Sequence, residues 1–295
     1  MKIPKTLSGP TRKLVVVGKK QRYYVDPKDA QAVREMKKQL MLYESKKKLI
    51  FTKAFRLLSH FISYEMLETR APLIYQGRNT KFFDFNRKEV HTIFQSKELM
   101  EKNLKWMKKL TPFVNIPEIL ECDTKENRLV TRYREFELLP LRKFRVYVDE
   151  VVDIDSKLWG RPKKVKVSDF IRKLPRPKKE LASQRIKKLG GEKSIHICGS
   201  HGDFHPGNLP RYGTRFYLLD FDSVGLRPKI FDFACFSFVP AHFNKGYFNE
   251  GKKLFRKFLD RVETTPTELV ISLSTLRSTD SKLQELFEEE GFFLD

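Results

Sequence analysis

The segment SHGDFHPGN, residues 200–208, places histidines, a carboxylate and an amide among residues that form turns. Asp203 and Asn208 are five positions apart, and the Pro and Gly between them favour a short loop that holds side chains at fixed angles. Further along, Asp220 and Asp222 follow the apolar run FYLL. Because a carboxylate in a buried segment is unfavourable unless it is paired, these acids are candidates for a chemical role.

The donor atoms of this set indicate which chemistry it suits. Two carboxylates and an amide oxygen are hard oxygen ligands, the kind that Mg²⁺ prefers when it also binds substrate phosphates. A remaining carboxylate could orient or deprotonate a hydroxyl group. In kinases, H-x-D-x-x-x-x-N is followed by an apolar strand that ends in a metal-binding Asp, and HGDFHPGN with LLDFD has this layout. The pattern therefore predicts phosphoryl transfer from ATP with Mg²⁺.

Over residues 200–236, the string HGDFHPGN…LLDFDSVG…IFDFACF closely resembles the aminoglycoside phosphotransferase/choline kinase family. The resemblance implies an α+β, two-lobed protein-kinase-like fold, with a small antiparallel β lobe carrying one helix and a larger, mainly helical lobe. It also implies an ATP-dependent phosphotransferase that transfers the γ-phosphoryl group to a hydroxyl of a small molecule or sugar.

The resemblance assigns a role to each matching position. Asp203 is expected to be the catalytic base on the acceptor hydroxyl, and His201 to anchor the loop by hydrogen bonds. Asn208 and Asp220 are expected to be Mg²⁺ ligands between the ATP phosphates. Asp222 is expected to be a further metal ligand or an acid that contacts the metal ligands rather than the metal itself.

Two other positions in the motif are not assigned to catalysis or to metal binding. The resemblance gives Asp232 a structural role in buttressing the loop, whereas His205 is expected either to pack in the loop or to lie on the substrate side. Taken alone, His201, Asp203 and His205 are also compatible with a zinc cluster, although zinc requires a fourth ligand at comparable spacing. Likewise, the two acids after FYLL would on their own be compatible with an ordinary turn.

The nucleotide-binding lobe departs from the kinase pattern at its lysine. Kinases place a Lys on the third strand and pair it with a Glu on the next helix. In KEVHTIF, His91 or Thr92 occupies the corresponding position, so we expect Lys81 or Lys88 to supply the charge, and we assign nucleotide binding to Lys81. The preferred helix partner is Glu101.

Two further features concern the nucleotide. A glycine-rich GxGxxG loop is absent, since YQGRNTK contains a single Gly. The segment TRYREFELL is the candidate hinge, where backbone groups near Tyr133, Arg134 and Phe136 would read the adenine. The missing strand lysine also keeps open a second hypothesis, a kinase-like nucleotide-binding or scaffold protein with weak or no activity.

Three regions are predicted along the chain. Residues 1–70 are predicted to be a basic N-terminal extension made of a hairpin and helices, with IFTKAFRLLSHFISYEMLE as its second helix. Residues 71–139 are predicted to be the small nucleotide-binding lobe, in the order β-β-β-α-β-β. Residues 140–295 are predicted to be the large catalytic and acceptor lobe, in which RKFRVYVDEVVDID looks strand-like and the C-terminal part is helical.

The charge distribution suggests the class of partner. The net charge is +22, with 17 Lys and Arg against 6 Asp and Glu in residues 1–70, and 13 against 2 in residues 157–190. Two basic segments favour an anionic partner, such as an anionic or membrane-borne acceptor, including a lipopolysaccharide-type sugar. The acids of DEVVDID, Asp149 to Asp155, keep a cationic acceptor open. A solvated basic surface and a nucleic-acid binder with steep salt dependence are the alternatives.

Other features exclude some classes of protein. No apolar run approaches the roughly 18 residues of a membrane span, and MKIPKTLSGP has no apolar signal core, so a cytoplasmic protein is expected. Three scattered cysteines without a CxxC pair predict reduced thiols. An atypical protein Ser/Thr kinase remains a further alternative, which the HGD loop and the lack of an A-P-E segment disfavour.

Overall fold

The computed structural model describes Pro4, Leu7 and residues 10–17, 22–41, 65–190, 192–243, 245–276 and 281–289. The chain divides into two compact units. The first, here called the sheet unit, comprises Met1–Thr111, Asn115–Leu138 and Pro210–Asp222. The second, the helical unit, comprises Pro112–Val114, Leu139–Leu209 and Ser223–Asp295.

The sheet unit contains an antiparallel sheet of eight strands in the order β3-β1-β2-β4-β5-β6-β8-β7. The strands are β1 Arg12–Val17, β2 Arg22–Val25, β3 Glu65–Thr69, β4 Leu73–Gln76, β5 Thr80–Asp84, β6 Glu89–Ile93, β7 Ile119–Asp123 and β8 Arg128–Arg132. The β-β-β-α-β-β order predicted for residues 73–139 is confirmed by β4 to β8 and the helix between β6 and β7.

The boundary predicted at residue 70 is not where the two units divide. Strand β2 pairs with β4, with Tyr23 opposite Tyr75, so the N-terminal segment adds strands to the same sheet. The physical reason is that β2 pairs with the edge that β4 would otherwise leave open. The helix predicted over IFTKAFRLLSHFISYEMLE is also wrong at its C-terminal end, where β3 lies, while its residues 50–64 fall outside the described residues.

Two helices lie among the described residues of the sheet unit. Helix α1, Ala30–Met41, begins after Asp29, whose Oδ1 accepts hydrogen bonds from the backbone N–H groups of Gln31 and Ala32. Helix α2, Lys97–Leu110, begins after Ser96, whose hydroxyl accepts from the Leu99 N–H at 3.3 Å. Both helices start where Asp or Ser supplies an acceptor for the first free backbone donors, as their sequences predict.

The helical unit contains seven helices among its described residues, in a sequence interrupted by short strands. They are α3 Val148–Trp159, α4 Val167–Arg172, α5 Arg176–Leu189, α6 Ile230–Phe243, α7 Phe248–Leu259, α8 Pro266–Thr275 and α9 Ser281–Glu289. A small sheet in the order β13-β10-β9 joins β9 Lys163–Lys166, β10 Ser194–Ser200 and β13 Gly225–Arg227. The strands β11 Arg211–Tyr212 and β12 Arg215–Phe216 form a hairpin in the sheet unit.

The strand-like prediction for RKFRVYVDEVVDID is wrong. The chain there forms a 3₁₀ turn, Leu141–Val146, followed by α3. The buried residues of α3 include Val148, Val151, Asp155 and Leu158, and this spacing of three or four residues is that of one helix face. The run of β-branched residues suggested a strand, but burial along one helical stripe determines the structure.

Aromatic packing fixes the segment that carries the candidate loop. The Phe204 ring lies 5.1 Å from that of Phe236 on α6, and Phe236 in turn lies 4.8 Å from Phe144, measured between centroids. All three side chains are fully buried. The α+β class, with an antiparallel sheet and a larger helical part, is confirmed, although the described residues of the sheet unit form an eight-stranded sheet, a separate hairpin and two helices rather than a small sheet with one helix. None of the described helices combines the length and the apolarity needed to cross a membrane.

Candidate active site

The loop HGDFHPGN begins where β10 ends, and one buried carboxylate holds its first residues. The backbone N–H groups of His201 and Gly202 donate to Oδ2 and Oδ1 of Asp232, at 2.7 and 2.8 Å. Asp232 lies in the first turn of α6 and is 1% exposed. Hydrogen bonds from two amides to one carboxylate are strong where water is excluded, so Asp232 fixes the backbone at the start of the loop.

Gly202 is required by this backbone path. Its φ angle is +80°, and a Cβ atom there would lie 2.2 Å from the carbonyl oxygen of Ser223 and 2.6 Å from Nη1 of Arg227. No side chain fits at that distance from a backbone atom, and the left-handed conformation adds strain for any residue except glycine. The glycine that follows His201 in the motif is therefore explained by the close approach of the chain at Ser223.

The loop presents Asp203 with its carboxylate accessible. The side chain of Asp203 is 36% exposed, whereas His201 is completely buried. The amide nitrogen of Asn208 donates to the backbone oxygen of Asp203 at 2.8 Å, which leaves Oδ1 as the Asn208 atom suited to a metal ion. His205 accepts from the Gly207 N–H at Nδ1, so in its neutral form the proton lies on Nε2, the atom 3.9 Å from the Asp203 carboxylate.

A second group of polar residues lies in the sheet unit. The amine of Lys81, on β5, is 3.3 Å from Oδ2 of Asp220, and the amide of Asn79 donates to Oδ2 of Asp222. Asp220 has a φ angle of +64°, in the left-handed region. Aspartate tolerates this region better than most residues, but backbone strain of this kind is concentrated at functional sites. The short strand expected to end at Asp220 is not formed, since residues 217–220 have no regular structure.

Electrostatics distinguish the two acids of this group. Burial, and then repulsion from Asp220, raise the pKa of Asp222 to about 6, against the lowering effects of Lys81, Asn103 and Arg78. Burial alone would lower the pKa of Lys81, but attraction by Asp220 and Asp222 outweighs it, and the net shift is upward. The amine therefore stays charged, while the two carboxylates repel one another. A divalent cation would relieve this repulsion, and the oxygen donors fit Mg²⁺.

The strand pairing shows on which face of the sheet Lys81 lies. In the β5–β6 pair, Lys81 lies directly opposite Thr92, and Phe82 lies opposite His91. Directly opposed residues point to the same face of a sheet, so Lys81 and Thr92 share one face and His91 lies on the other. His91 is buried there, with Nε2 3.1 Å from Glu89 and Nδ1 3.3 Å from Arg128.

The predicted pair between Lys81 and Glu101 is not formed. Glu101 lies on the exposed side of α2, 54% exposed, and its carboxylate is 3.7 Å from the amine of Lys97 one turn earlier. The carboxylate beside Lys81 is Asp220 instead. The α2 residue directed to this group is the buried Asn103, which donates a hydrogen bond that lowers the pKa of Asp222. The pattern of apolar and polar residues along α2 does not by itself predict that Asn103 is buried.

Tyr133, predicted as a nucleotide-binding residue of the hinge, has its side chain committed to the core. Its hydroxyl donates to Oε2 of Glu35 on α1 at 3.0 Å, and its ring packs 5.0 Å from that of Phe85. Its backbone N–H donates to the carbonyl of Lys88 at 2.8 Å. Burial, and then the charge of Glu35, raise the pKa of Tyr133, so the phenol stays neutral. The ring is therefore not available to stack on a base.

Arg134 and Phe136 form an aromatic and cationic cluster with the β11–β12 hairpin. The Phe136 ring lies 5.3 Å from that of Tyr217, and the guanidinium of Arg134 lies 5.0 Å from the ring centroid of Tyr212. The carbonyl of Phe136 accepts from the amine of Lys38 at 3.3 Å. This carbonyl, one of the backbone groups expected to read adenine, already has a donor in the sheet unit.

The structure thus brings the predicted residues together in two sets. His201, Asp203 and Asn208 lie together in the helical unit, and Lys81, Asp220 and Asp222 lie together in the sheet unit. The zinc alternative has no support, since no three His, Cys, Asp or Glu side chains within the described ranges are arranged to hold a metal ion.

Comparison with known proteins gives similarity in structure but not in sequence. No protein-family model matches the chain, and no curated protein sequence matches it. A choline/ethanolamine kinase family protein from Mesorhizobium loti is similar at 16% identity and a TM-score of 0.46, over 73% of this chain and 78% of that one. The choline kinase LicA from Streptococcus pneumoniae is similar at 15% identity and a TM-score of 0.44, over 82% of this chain and 90% of that one.

A thermostable mutant of the aminoglycoside phosphotransferase APH(4)-Ia is similar at 12% identity and a TM-score of 0.47, over 72% of this chain and 84% of that one. At these identities and TM-scores, the likeness carries no argument about the activity of this chain. By their names, these solved structures are choline kinases and aminoglycoside phosphotransferases, the family that the HGDFHPGN motif resembles.

Proposed function

We propose that this chain is an ATP-dependent phosphotransferase that transfers the γ-phosphoryl group to a hydroxyl of a small molecule or sugar. The observation that carries the proposal is the loop itself. Its first amides are fixed by the buried Asp232, and it leaves the carboxylate of Asp203 accessible. A rigid loop with an accessible carboxylate is what a base needs to orient a substrate hydroxyl.

The proposal assigns one task to each set of residues. Asp203 accepts the proton of the acceptor hydroxyl, and His201 holds the loop from its buried position. Asn208, Asp220 and Asp222 supply oxygen ligands for Mg²⁺, which when bound neutralises charge on the ATP phosphates. Lys81, charged and on the face of the sheet that it shares with Thr92, contacts phosphate oxygens and replaces the missing strand lysine.

The charges of the helical unit support an anionic acceptor. The side chains of Lys163, Lys164 and Lys166 on β9 are all exposed, in a segment with few acids. Three of the four acids that kept a cationic acceptor open are either paired or buried. Asp149 pairs with Arg261 at 2.7 Å, Asp153 pairs with Lys157 at 2.6 Å, and Asp155 is buried. We therefore favour an acceptor that carries phosphate or carboxylate groups, free or on a membrane surface.

Release of ADP from Mg²⁺-ATP tests the proposal. The wild type is compared with Asp203→Asn, Asp220→Asn and the control Glu101→Gln, with and without a small-metabolite extract, and binding of the nucleotide is measured separately. We expect the extract to stimulate turnover and Asp203→Asn to lower kcat by about 10²- to 10⁴-fold while nucleotide still binds. Asp220→Asn should also lose the Mg²⁺ dependence of binding.

The competing hypotheses predict different results. A nucleotide-binding protein without transfer activity would bind Mg²⁺-ATP, and no extract would raise turnover above that of Asp203→Asn. A nucleic-acid binder would retain RNA or DNA with an affinity that falls steeply with salt. Either result, without acceptor-stimulated turnover, would overturn the phosphotransferase proposal.

A further inference from the structure

A second buried acid stands behind the carboxylate that holds the loop. Asp155, on α3, is completely buried, and its Oδ2 accepts a hydrogen bond from the indole N–H of Trp159 at 2.8 Å. Its other oxygen, Oδ1, has no hydrogen-bond donor among the residues that the structure describes. A buried oxygen without a partner is rare in folded proteins and calls for an explanation.

The neighbour of Asp155 is Asp232, whose carboxylate is close enough to raise the pKa of Asp155. Asp232 already accepts two backbone N–H groups of the loop, one on each oxygen. Those donors stabilise the ionised form of Asp232, whereas Asp155 has the single indole donor. When the two carboxyl groups hold one proton between them, Asp155 is therefore the protonated group and Asp232 the carboxylate.

A proton on Oδ1 of Asp155 would satisfy the atom that lacks a donor. The O–H group would donate to a carboxylate oxygen of Asp232, which has a lone pair left after binding one N–H. We propose that Asp155 is a neutral carboxylic acid that donates a hydrogen bond to Asp232 and so positions the carboxylate that holds the His201–Gly202 backbone. Asp155 is thus a positioning residue: it acts on Asp203 only through Asp232 and the loop backbone that Asp232 holds.

The other groups around the pair agree with a single negative charge. Burial is the main cause that raises the pKa of the nearby Cys198 on β10 to about 12, so this thiol is neutral and adds no charge. Lys229 is a cation in the same region, with its amine 5.2 Å from the ring centroid of Trp159. Burial, and then repulsion from Asp232, raise the pKa of Asp155 well above its usual value.

Asparagine is the informative substitution at this position. Its carbonyl can accept from Trp159, and its amide N–H can donate to Asp232, so Asp155→Asn preserves both bonds of the neutral acid without a titratable proton. Asp155→Ala removes both. Asp153→Asn is the matched control, because Asp153 is an exposed acid on the same helix, paired with Lys157.

Two measurements test the proposal without any turnover. The first is the infrared carbonyl band of a protonated carboxylic acid near neutral pH, expected in the wild type and in Asp153→Asn and lost in Asp155→Asn. The second is hydrogen exchange of the His201 and Gly202 amides. Asp155→Ala removes the hydrogen bond from residue 155 to the charged Asp232 carboxylate, which holds both amides. Exchange of these amides should therefore quicken about tenfold or more in Asp155→Ala and stay near the wild-type rate in Asp155→Asn.

Turnover adds a third measurement, and only this one rests on the proposed function. We expect kcat to fall in Asp155→Ala, with KM for ATP little changed, and to recover in Asp155→Asn. If the wild type has no turnover, the proposed function fails, while the infrared band and amide exchange still decide the role of Asp155. Absence of an Asp155-dependent acid band, or unchanged exchange of both amides in Asp155→Ala, would overturn the inference.

Discussion

Lys81 lies directly opposite Thr92 in the β5–β6 pair, and its amine reaches Oδ2 of Asp220 at 3.3 Å. Lys81 therefore shares a face of the sheet with Thr92, one of the two positions where the kinase pattern leads one to expect a lysine. His91, next to Thr92 in sequence, points to the opposite face and is buried against Arg128. In the proposed function, Lys81 on the neighbouring strand therefore supplies the charge that KEVHTIF lacks.

This relationship predicts that the lysine can be moved. Because charge stabilisation at the phosphates is lost, Lys81→Met should lower kcat/KM for ATP by about 100-fold or more. Adding Thr92→Lys should restore activity by about tenfold, since a small misplacement limits the recovery. Kinetics with Mg²⁺-ATP would check this.

His91→Lys in the Lys81→Met background is the matched control. It introduces the same charge one residue away but on the other face of the sheet, so no recovery is expected. Equal recovery from His91→Lys and Thr92→Lys would show that the charge, and not its place on the sheet, is what matters.

Glu101 gives a prediction of little effect. Its carboxylate is exposed and pairs only weakly with Lys97 one helical turn away, and such pairs contribute little to stability. Glu101→Gln should change the free energy of unfolding by less than about 0.5 kcal/mol and leave kcat/KM within about twofold. A loss as large as that of Asp220→Asn would mean that Glu101 pairs with Lys81 once nucleotide binds.

Gly202 predicts a local and severe effect of one methyl group. Gly202→Ala combines left-handed strain of about 1–2 kcal/mol with a contact 2.2 Å from the Ser223 carbonyl, whose relief costs about 1–3 kcal/mol more. The variant should unfold at a lower temperature and lose turnover, because the amides held by Asp232 must shift.

Gly190 provides the control for strain alone. Its φ angle is +63°, and nothing lies within 4 Å of a Cβ atom built there. Gly190→Ala should therefore lose only about 1 kcal/mol of stability and keep full activity. Thermal unfolding of both variants separates the two contributions, and equal losses would contradict the close contact at Ser223.

The features that the sequence predicts correctly are those set by residues close together along the chain. The HGDFHPGN loop, the Ser96 cap and strands β4 to β8 could all be read from short-range patterns. The partners of Lys81 could not, because Asp220 lies 139 positions away and only the folded chain brings them together. The role of Asp155 was hidden for a different reason: a buried acid and an exposed one look alike in DEVVDID, where Asp153 is exposed.

The buried acid also predicts how stability depends on pH. The pKa of Asp155 is raised in the folded state by burial and by Asp232, whereas in the unfolded chain it is about 3.9. Between these two values the folded state binds one more proton than the unfolded state. This contribution is fully present below about pH 4 and is lost as pH rises, by about 1.4 kcal/mol for each pH unit, until the folded pKa is reached.

Asp155→Asn has no proton to lose at this site. The difference in unfolding midpoint, Asp155→Asn minus wild type, should therefore increase as pH rises from about 4 towards neutral. The wild type should have its largest stability advantage at the acidic end. Asp153→Asn should show no such trend, because Asp153 is exposed and paired only on its own helix. Thermal unfolding of the three proteins across this pH range checks the prediction, and parallel curves for wild type and Asp155→Asn would show that Asp155 is ionised in the folded state.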